Sequence, residues 1–366
     1  MKMTNEVNQH SQHGKIVGLV WSIANIIRGP YRPPQYRRVM LPLIVLGRFD
    51  AILAPYADEM KACYEKAVAN LQDKNPNVFL QKQLSQIADK NRKQNLYNIS
   101  GFNLQKLLDD PDQFTANLTK YIDGFSPKAK DIFAKFEFAK EIEKLDDANR
   151  LYKVFQEFRN GLVESGLSLA PSSVSNLQMG YLFEELVRKF NEQANEEAGD
   201  HFTPREVIEL MVNLIFEEDQ DELVKAGVHR SIYDPTAGTG GMLSESEKFL
   251  KKYNEKISLD MYGQEYNPES YAICCSDLLI KDEPAENIVY GDTLGVKNAK
   301  EKDGYVPRDG HADKDFHYMF SNPPFGVEWK NQKEFIDEEE KQGFSGRFGA
   351  GLPRINDGSL LFAQHM

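Results

Sequence analysis

The chain has 366 residues, 41% of them hydrophobic and 27% charged, so it is long enough for two domains with separate cores. The formal net charge is −12, so binding to nucleic acid would require a local basic surface or a partner, because affinity for a duplex depends on neutralising phosphates. Three cysteines, two of them adjacent, give neither a disulfide framework nor the spacing of a metal site. We therefore predict a reduced compartment and no metal ligands.

Residues from about 15 to 165 are predicted to be helical, because apolar residues recur every three to four positions, as in AKDIFAKFEFAKEI. The longest apolar run, residues 39–47, is too short to span a bilayer, contains Pro42 and is flanked by arginines. This composition favours a buried helix over a membrane or signal segment. A cytoplasmic protein without a membrane segment is expected.

A basic stretch, RGPYRPPQYRR, covers residues 28–38 of this helical region. Its arginines alternate with tyrosines, a pattern that could contact nucleic acid. A solvated loop whose arginines pair with nearby carboxylates is at least as good an interpretation. The sequence leaves both open.

The stretch GLVESGLSLAPSSVSN, residues 161–176, is rich in Ser, Gly and Pro and predicts a linker or boundary near residues 165–175. We therefore predict a helical N-terminal domain at residues 1–170 and a second domain at residues 171–366. Within the second, TPREVIELMVNLI predicts a helix that starts with a capping box of Thr203 and Glu206, with Pro204 at the first helical position.

Short apolar strands then alternate with helices, which predicts a parallel sheet wound with helices. The predicted strands are 232–233, 260–263, 287–290 and 317–320, and the predicted helices are roughly 241–254 and 268–281. In such sheets, ligands bind at the carboxyl ends of the strands. The residues at those ends are therefore the candidates for function.

The first strand leads into YDPTAGTGGML, residues 233–243, whose glycines permit a sharp turn and close approach of a ligand. A dinucleotide-binding pattern would need a further glycine where Leu243 stands, and no Lys-Ser/Thr pair follows as in phosphate-binding NTPase loops. The loop should therefore receive a neutral or cationic group. Asp234 is placed to accept a positive or hydrogen-donating group.

Acidic residues also follow the second and third predicted strands. Glu265 in YGQEYN suits the paired hydroxyls of a ribose, and Asp292 in VYGDTL could accept from an adenine amino group. Glu265 alone could equally be a surface carboxylate near the start of a helix at Pro268. Together with Asp234, these residues predict a pocket for an adenosine without phosphates.

The fourth strand leads into MFSNPPF, residues 319–325. Two prolines remove backbone donors and keep the preceding residues extended, so this segment could be an ordinary strand followed by a Pro-Pro turn. Behind the predicted pocket, however, the Asn322 side-chain oxygen and the Pro323 carbonyl could both accept from one exocyclic amine. Phe325 would then stack on the ring that carries the amine.

These motifs together resemble the modification subunit of type I restriction-modification systems, a family of S-adenosylmethionine-dependent DNA adenine N6-methyltransferases. The resemblance rests on DPTAGTGG, NPPF, the upstream segment GDHFTPREVIELMV and the N-terminal GLVWSIANIIRG…LPLIVLGRFD. NPPF alone is less specific, because methyltransferases that act on protein glutamine have a related motif. The resemblance implies an α/β doubly wound, Rossmann-like catalytic domain behind an all-α N-terminal domain.

The resemblance also implies the cofactor, S-adenosyl-L-methionine, and the residues that bind it. The methionine end of the cofactor would be contacted by Asp200, His201, Phe202, Thr203, Pro204 and Arg205. Its central part would be lined by Asp234, Gly238, Thr239, Gly240 and Gly241. The ribose would be held by Glu265 and the adenine edge by Asp292. A target adenine flipped out of the duplex would be handled by Asn322, Pro323, Pro324 and Phe325.

The implied partners are a DNA specificity subunit, a motor-nuclease restriction subunit and, through their complex, double-stranded DNA. The family normally continues beyond the equivalent of Met366, so a C-terminal part is expected to be missing. The alternatives are an amino-methyltransferase acting on protein glutamine or RNA, and a vestigial scaffold subunit. The HFTP segment argues against the first, and the intact NPPF and acidic strand ends argue against the second.

Overall fold

The structure is a computed structural model that describes residues 15, 18–69, 76–193, 203–296 and 308–366. The chain forms two compact units, one of Met1–Glu196 with Ser276–Ala285 and one of Glu197–Cys275 with Glu286–Met366. The helix Asn176–Gln193 therefore belongs with the first unit, whereas the sequence assigns it to the second domain. The boundary at residues 170 and 171 stays a prediction.

The first unit is built from helices, which confirms the prediction of an all-α N-terminal domain. Their bounds are Gly18–Ile27, Arg37–Leu53, Ala57–Val68, Val78–Ala88, Leu104–Leu108, Phe114–Asp123, Pro127–Lys135, Phe138–Asp147, Leu151–Glu164 and Asn176–Gln193. Aromatic rings fill the core around Phe49, whose ring lies 6.2 Å from that of Phe133 in an edge-to-face contact.

The apolar run at residues 39–47 lies in the helix Arg37–Leu53 and is buried along its whole length. The helical stretch Pro33–Val68 is long and apolar enough, by length and composition alone, to cross a membrane. However, 72% of its most apolar window is buried inside the protein. This is the pattern of a core helix, as the sequence predicts for residues 39–47.

The predicted linker near residues 165–175 packs into the helical unit. The guanidinium of Arg48, which is fully buried, donates to the carbonyl oxygens of Leu169 and Val174 and to the side-chain oxygen of Asn176. Burial lowers the pKa of Arg48 to about 10. These bonds satisfy backbone carbonyls that a free linker would expose to water. They explain why the segment packs with the helical unit, which extends beyond residue 175.

The basic stretch at residues 28–38 does not present its tyrosines to solvent. Tyr31 and Tyr36 are buried, and the hydroxyl of Tyr31 donates to Glu141 Oε2 over 2.6 Å. Arg28 and Arg32 are exposed. The tyrosines therefore serve the core of the helical unit, which weakens the interpretation of this stretch as an aromatic and basic nucleic-acid surface.

The second unit contains a parallel sheet, which confirms the predicted α/β fold. Its strands are β1 (His229–Asp234), β2 (Ser258–Glu265), β3 (Ile288–Tyr290) and β4 (Tyr318–Met319), in the order β3-β2-β1-β4. β1 pairs with β2 on one side, from His229 opposite Ser258 onward, and with β4 on the other. Strands β1 and β2 are longer than the sequence predicts, and β4 is shorter.

The helices of this unit cover the sheet and support its ends. Their bounds are Arg205–Glu217, Gln220–Leu223, Gly241–Tyr253, Pro268–Lys281, Lys333–Glu340 and Ser359–His365, and the last residues of Pro268–Lys281 belong to the first unit. Phe216 joins the first of these helices to β4, because its ring lies 4.7 Å from Tyr318 in an edge-to-face contact.

The predicted capping box is wrong. The helix begins at Arg205, and Pro204 occupies its N-cap without a side-chain hydrogen bond to the first turn. The hydroxyl of Thr203 instead accepts a hydrogen bond from the side chain of Asn322. A long-range partner has therefore taken the hydroxyl that the local pattern assigns to the helix.

The segment at residues 326–358, which follows the NPPF stretch, packs around a small apolar core. Trp329, Ile336 and Phe348 are buried in one cluster with Leu294 and Leu361. The indole nitrogen of Trp329 donates to a backbone carbonyl over 3.0 Å. This cluster fixes the chain that follows the NPPF segment against the end of β3.

Candidate active site

The glycine loop connects β1 to the helix Gly241–Tyr253. Gly238 and Gly240 have φ angles of +54° and +84°, in the left-handed region that favours glycine. A Cβ atom on Gly240 would lie 2.7 Å from the sulfur of buried Cys274, so glycine is also required there by close packing. The glycines thus allow the backbone both to turn and to approach the helix Pro268–Lys281.

Glu265, at the end of β2, holds this loop in place. Its Oε2 accepts from the backbone nitrogen of Gly238 over 2.8 Å, and its Oε1 accepts from that of Asn267 over 2.6 Å. The carboxylate therefore joins the ends of two neighbouring strands. Glu265 is half-buried and lines the cavity, and its bond to Asn267 also places it beside the start of the helix at Pro268, so its role as a ribose ligand stays a prediction.

Asp234, the last residue of β1, is almost completely buried, with 2% of its surface exposed. Burial, the largest effect, and the nearby charge of Glu265 together raise the pKa of its carboxyl to about 7, against the lowering effect of hydrogen bonds from Thr236. The backbone nitrogen of Thr236 donates to Asp234 over 2.9 Å. The site therefore contains a carboxyl group that titrates near neutral pH and would be ionised by a cation bound next to it.

Asp292, after β3, is buried and held by two donors. The backbone nitrogen of Leu294 donates to Oδ1 over 2.9 Å, and the side-chain nitrogen of Gln332 donates to Oδ2. Gln332 comes from the segment that follows NPPF. That segment therefore orients the carboxylate that the sequence assigns to the adenine edge.

The NPPF loop lies directly beside the glycine loop. The hydroxyls of Thr236 and Ser321 are 2.9 Å apart and hydrogen-bonded, although the two residues are 85 positions apart in the chain. The side-chain nitrogen of Asn322 donates to the Thr203 hydroxyl over 3.0 Å. Phe325 presents its ring at the surface, with 72% exposed. The two loops on which the sequence argument depends thus face one cavity.

This cavity has a volume of about 580 Å³, within the range of small-molecule sites. The predicted residues that line it are Thr203, Asp234, Gly238, Thr239, Gly241, Glu265, Asp292, Asn322, Pro323, Pro324 and Phe325. Pro204, Arg205 and Gly240 are not among its lining residues, and Arg205 instead pairs with Glu245, with its Nε atom 3.6 Å from a carboxylate oxygen. Asp200, His201 and Phe202 lie outside the described residues.

Other residues that line the cavity were not predicted from the sequence, among them Thr236, Tyr266 and Phe362. Tyr266 follows Glu265 directly and could have been found, because an aromatic ring beside a ribose-binding carboxylate can stack on a base. Phe362 could not, since it comes from the distant helix Ser359–His365. Thr236 is visible in the glycine loop, but its bond to Ser321 is not.

The charged residues that line the cavity are acidic. Asp234, Glu265 and Asp292 are acidic, and the described residues that line it include no lysine, arginine or histidine. The start of the helix Gly241–Tyr253 reaches the cavity and could bind an anion, but the three carboxylates beside it would repel a phosphate group. The lining fits a ligand that carries positive charge and hydrogen-bond donors.

Comparisons with known proteins agree with the family resemblance and with the fold. The profile of the family described as N-6 DNA Methylase matches residues 175–366, and that of the HsdM N-terminal domain matches residues 16–158. The chain is similar in structure to the crystal structure of a type I restriction-modification methyltransferase subunit from Streptococcus thermophilus. The TM-score is 0.64 at 16% identity, covering 96% of this chain and 71% of that one, which supports the fold.

Two curated relatives are similar in sequence. The type I restriction enzyme HindI methylase subunit of Haemophilus influenzae is 25% identical over 190 residues, and the MpnII methylase subunit of Mycoplasma pneumoniae is 24% identical over 253 residues. The matches cover 51% and 61% of this chain but only 36% and 44% of those relatives. The chain thus spans less than half their length, and the family match confirms the resemblance found in the sequence. The chain belongs to the N-6 DNA methylase family, in the form found as the modification subunit of type I restriction-modification systems.

Proposed function

We propose that the chain transfers a methyl group from S-adenosyl-L-methionine to the exocyclic N6 of adenine in DNA, as the catalytic subunit of a type I modification complex. The observation that carries the proposal is the hydrogen bond between Thr236 and Ser321, which brings the glycine loop and the NPPF loop to one cavity. A methyl donor and an acceptor amine must lie next to each other for direct transfer. Adjacent loops of these two kinds supply that arrangement.

The described residues fit this cofactor. Glu265 would hold the ribose, Asp292 the adenine edge, and Asp234 with the glycine loop the central part, while Thr203 lies where the methionine end is expected. An acidic cavity without basic lining residues suits a ligand with a sulfonium and an ammonium group and no phosphate. When bound, the cofactor supplies a methyl group on positively charged sulfur, which is already activated for attack by an amine.

The residues of the NPPF loop would prepare the amine. The Oδ1 atom of Asn322 and the carbonyl oxygen of Pro323 accept from the two hydrogens of the amino group, which draws its lone pair out of conjugation with the ring. Phe325 stacks on the base and excludes water from one face. No general base is needed before attack, and the methylated nitrogen then releases its proton to solvent.

The substrate and partners follow from the same family. A paired adenine is reached only when it is flipped out of the duplex. With a net charge of −12, the chain would depend on a DNA specificity subunit for recognition and on that subunit's contacts for affinity. A motor-nuclease restriction subunit would complete the assembly. We propose that it works in the cytoplasm, where cellular DNA is accessible.

The proposal is tested by expressing the chain with the products of its neighbouring reading frames in a bacterial host that lacks adenine methylation. Mapping modified bases in the host DNA should show N6-methyladenine at one recurring sequence, and the Asn322→Ala variant should show none. Methylation on cytosine N4, on RNA or on protein glutamine, without adenine methylation, would refute the assignment. Absence of all methylation from a well-formed complex would also refute it.

A further inference from the structure

The hydrogen bond between Thr203 and Asn322 suggests a second role for Thr203. The Nδ2 atom of Asn322 lies 3.0 Å from the Thr203 hydroxyl, so the amide nitrogen is the donor in this bond. Since an amide has one donor end and one acceptor end, Oδ1 is the atom that Asn322 can turn toward an amine. We propose that Thr203 is a positioning residue, which holds the Asn322 amide so that its oxygen faces the substrate amine.

The need for such a residue follows from the chemistry of asparagine. Its terminal torsion is broad and nearly two-fold, so the side chain alone does not select which end of the amide faces the cavity. A hydroxyl can donate as well as accept, so Thr203 by itself fixes the position of the amide. The orientation follows because an exchanged amide would bring its NH2 group against the substrate NH2 group, and two donors would meet. The proposed function depends on the acceptor orientation, and this inference rests on that function.

Thr203 is well placed for the task because the start of its helix is fixed. Arg205 pairs with Glu245, a buried carboxylate on the helix Gly241–Tyr253. Ile208, one turn on, is buried and would lie 3.4 Å from a Cβ atom on Gly241. Thr203 directly precedes the N-cap of this helix, so its hydroxyl lies next to an element whose start is tied to the helix that follows the glycine loop.

The same local structure separates this role from a structural one. The N-cap of the helix is Pro204, which forms no side-chain capping bond, and the Thr203 hydroxyl is bonded to Asn322 and does not act as the cap of the helix. Removing the hydroxyl should leave the fold intact. Its removal should affect only the groups to which it is bonded.

The test compares Thr203→Val, which has nearly the same shape without a hydroxyl, with Thr203→Ser, which keeps the hydroxyl. Each variant is made in the complex that methylates DNA, and Thr119→Val serves as the matched control, because Thr119 lies exposed on a helix of the other unit. Two quantities are measured: the single-turnover rate of methyl transfer at saturating cofactor, and the dissociation constant of S-adenosyl-L-methionine by calorimetry.

We expect Thr203→Val to slow transfer by about 10- to 100-fold, because a misplaced catalytic group costs rate at this scale. Because the Thr203 hydroxyl is bonded to Asn322, a contact of Thr203 with the methionine end would use its backbone or methyl group, which valine keeps. Cofactor affinity should therefore change by less than about threefold, well under the tenfold that 1.4 kcal/mol would give. Thr203→Ser should recover most of the rate, and Thr119→Val should behave as the unmodified chain. An unchanged rate in Thr203→Val would overturn the inference, as would equal losses of rate and cofactor affinity, or no recovery with serine.

A second readout does not depend on activity. In a chain labelled with 15N-asparagine, the side-chain amide signal of Asn322 is assigned by its absence from Asn322→Asp. Thr203→Val should shift this signal and Thr203→Ser should largely restore it. If the complex transfers no methyl group, the proposed function fails, and this signal alone decides the inference: an unshifted signal in Thr203→Val overturns it.

Discussion

Replacing Asp234 by asparagine should make the stability of the chain less sensitive to pH. The carboxyl is 2% exposed and its pKa is raised to about 7, mainly because burial disfavours the charged form. In the unfolded chain, an aspartate titrates near its ordinary value of about 3.9. Asparagine has nearly the same shape and cannot ionise. The substitution thus removes one titration and leaves the volume of the site unchanged.

The sign follows from proton linkage. Because the folded pKa lies above the unfolded value, the folded chain binds more protons between about pH 4 and pH 7, and its stability falls as the pH rises through this range. The difference in pKa corresponds to about 4 kcal/mol, taken as an upper limit. Relative to the unmodified chain, Asp234→Asn should therefore gain up to about 4 kcal/mol between pH 4 and pH 8. The cost of burying the amide does not depend on pH, so it does not contribute to the change in the stability difference between pH 4 and pH 8.

Urea unfolding at a series of pH values measures the effect, followed at the transition of the unit that carries the substitution, which is the sheet-containing unit for Asp234 and the helical unit for Asp58. Asp58→Asn is the control, because Asp58 is exposed and its pKa is lowered by the hydrogen bond and charge of Lys106, 2.7 Å away. Its stabilising contribution is present at neutral pH and lost as the pH falls, so that substitution should show the opposite trend. A difference between Asp234→Asn and the unmodified chain that is constant across the pH range would refute the reasoning.

Three further predictions concern the site and the substrate. Asn322→Ala should abolish methyl transfer while leaving cofactor binding by calorimetry nearly unchanged; an undiminished transfer rate would contradict the role of its amide. Gly240→Ala should destabilise the chain more than Gly227→Ala by about 1–3 kcal/mol in urea unfolding. Both glycines have positive φ, but only at Gly240 would the new Cβ meet a neighbour within 4 Å. Equal losses of stability in the two variants would contradict the role of close packing at Gly240. The isolated chain should bind duplex DNA weakly in fluorescence anisotropy at physiological salt because of its −12 charge, and tight sequence-specific binding would contradict this.

Much of the fold could be predicted because it follows from local patterns. Alternation of apolar strands with helices indicates a parallel sheet, and the glycines after Asp234 mark the turn at the end of β1. Parallel strands have their carboxyl ends at one edge, so the acidic residues that follow β1, β2 and β3 had to come together. The cavity is thus a direct consequence of the strand pattern.

Other features depend on long-range contacts and leave no such pattern. The hydrogen bond from Gln332 to Asp292 and the packing of Trp329 with Leu294 join segments that no periodicity relates. The local sequence was even misleading at Thr203, because it predicted a capping box and the Thr203 hydroxyl instead bonds to Asn322. Propensity rules fail at such positions because a distant partner offers the hydroxyl a better bond than the helix does.

The packing of the segment at residues 165–175 could not be predicted for a similar reason. Ser, Gly and Pro near residues 165–175 are typical of a linker, but composition does not reveal that Arg48 binds the carbonyls of this segment. An arginine inside an apolar helix is itself a signal, since a buried guanidinium needs acceptors. The sequence shows that acceptors are needed but not which carbonyls supply them.

The order of strands also has a consequence for how the chain folds. β4 pairs with β1 although β2 and β3 lie between them in the chain, and parallel pairing over such a separation is slow because a large loop must close first. The glycine loop follows β1 and the NPPF loop follows β4, so the cavity is complete only when these two strands have paired. During refolding, a ligand that contacts both loops should therefore bind only after this slow pairing step.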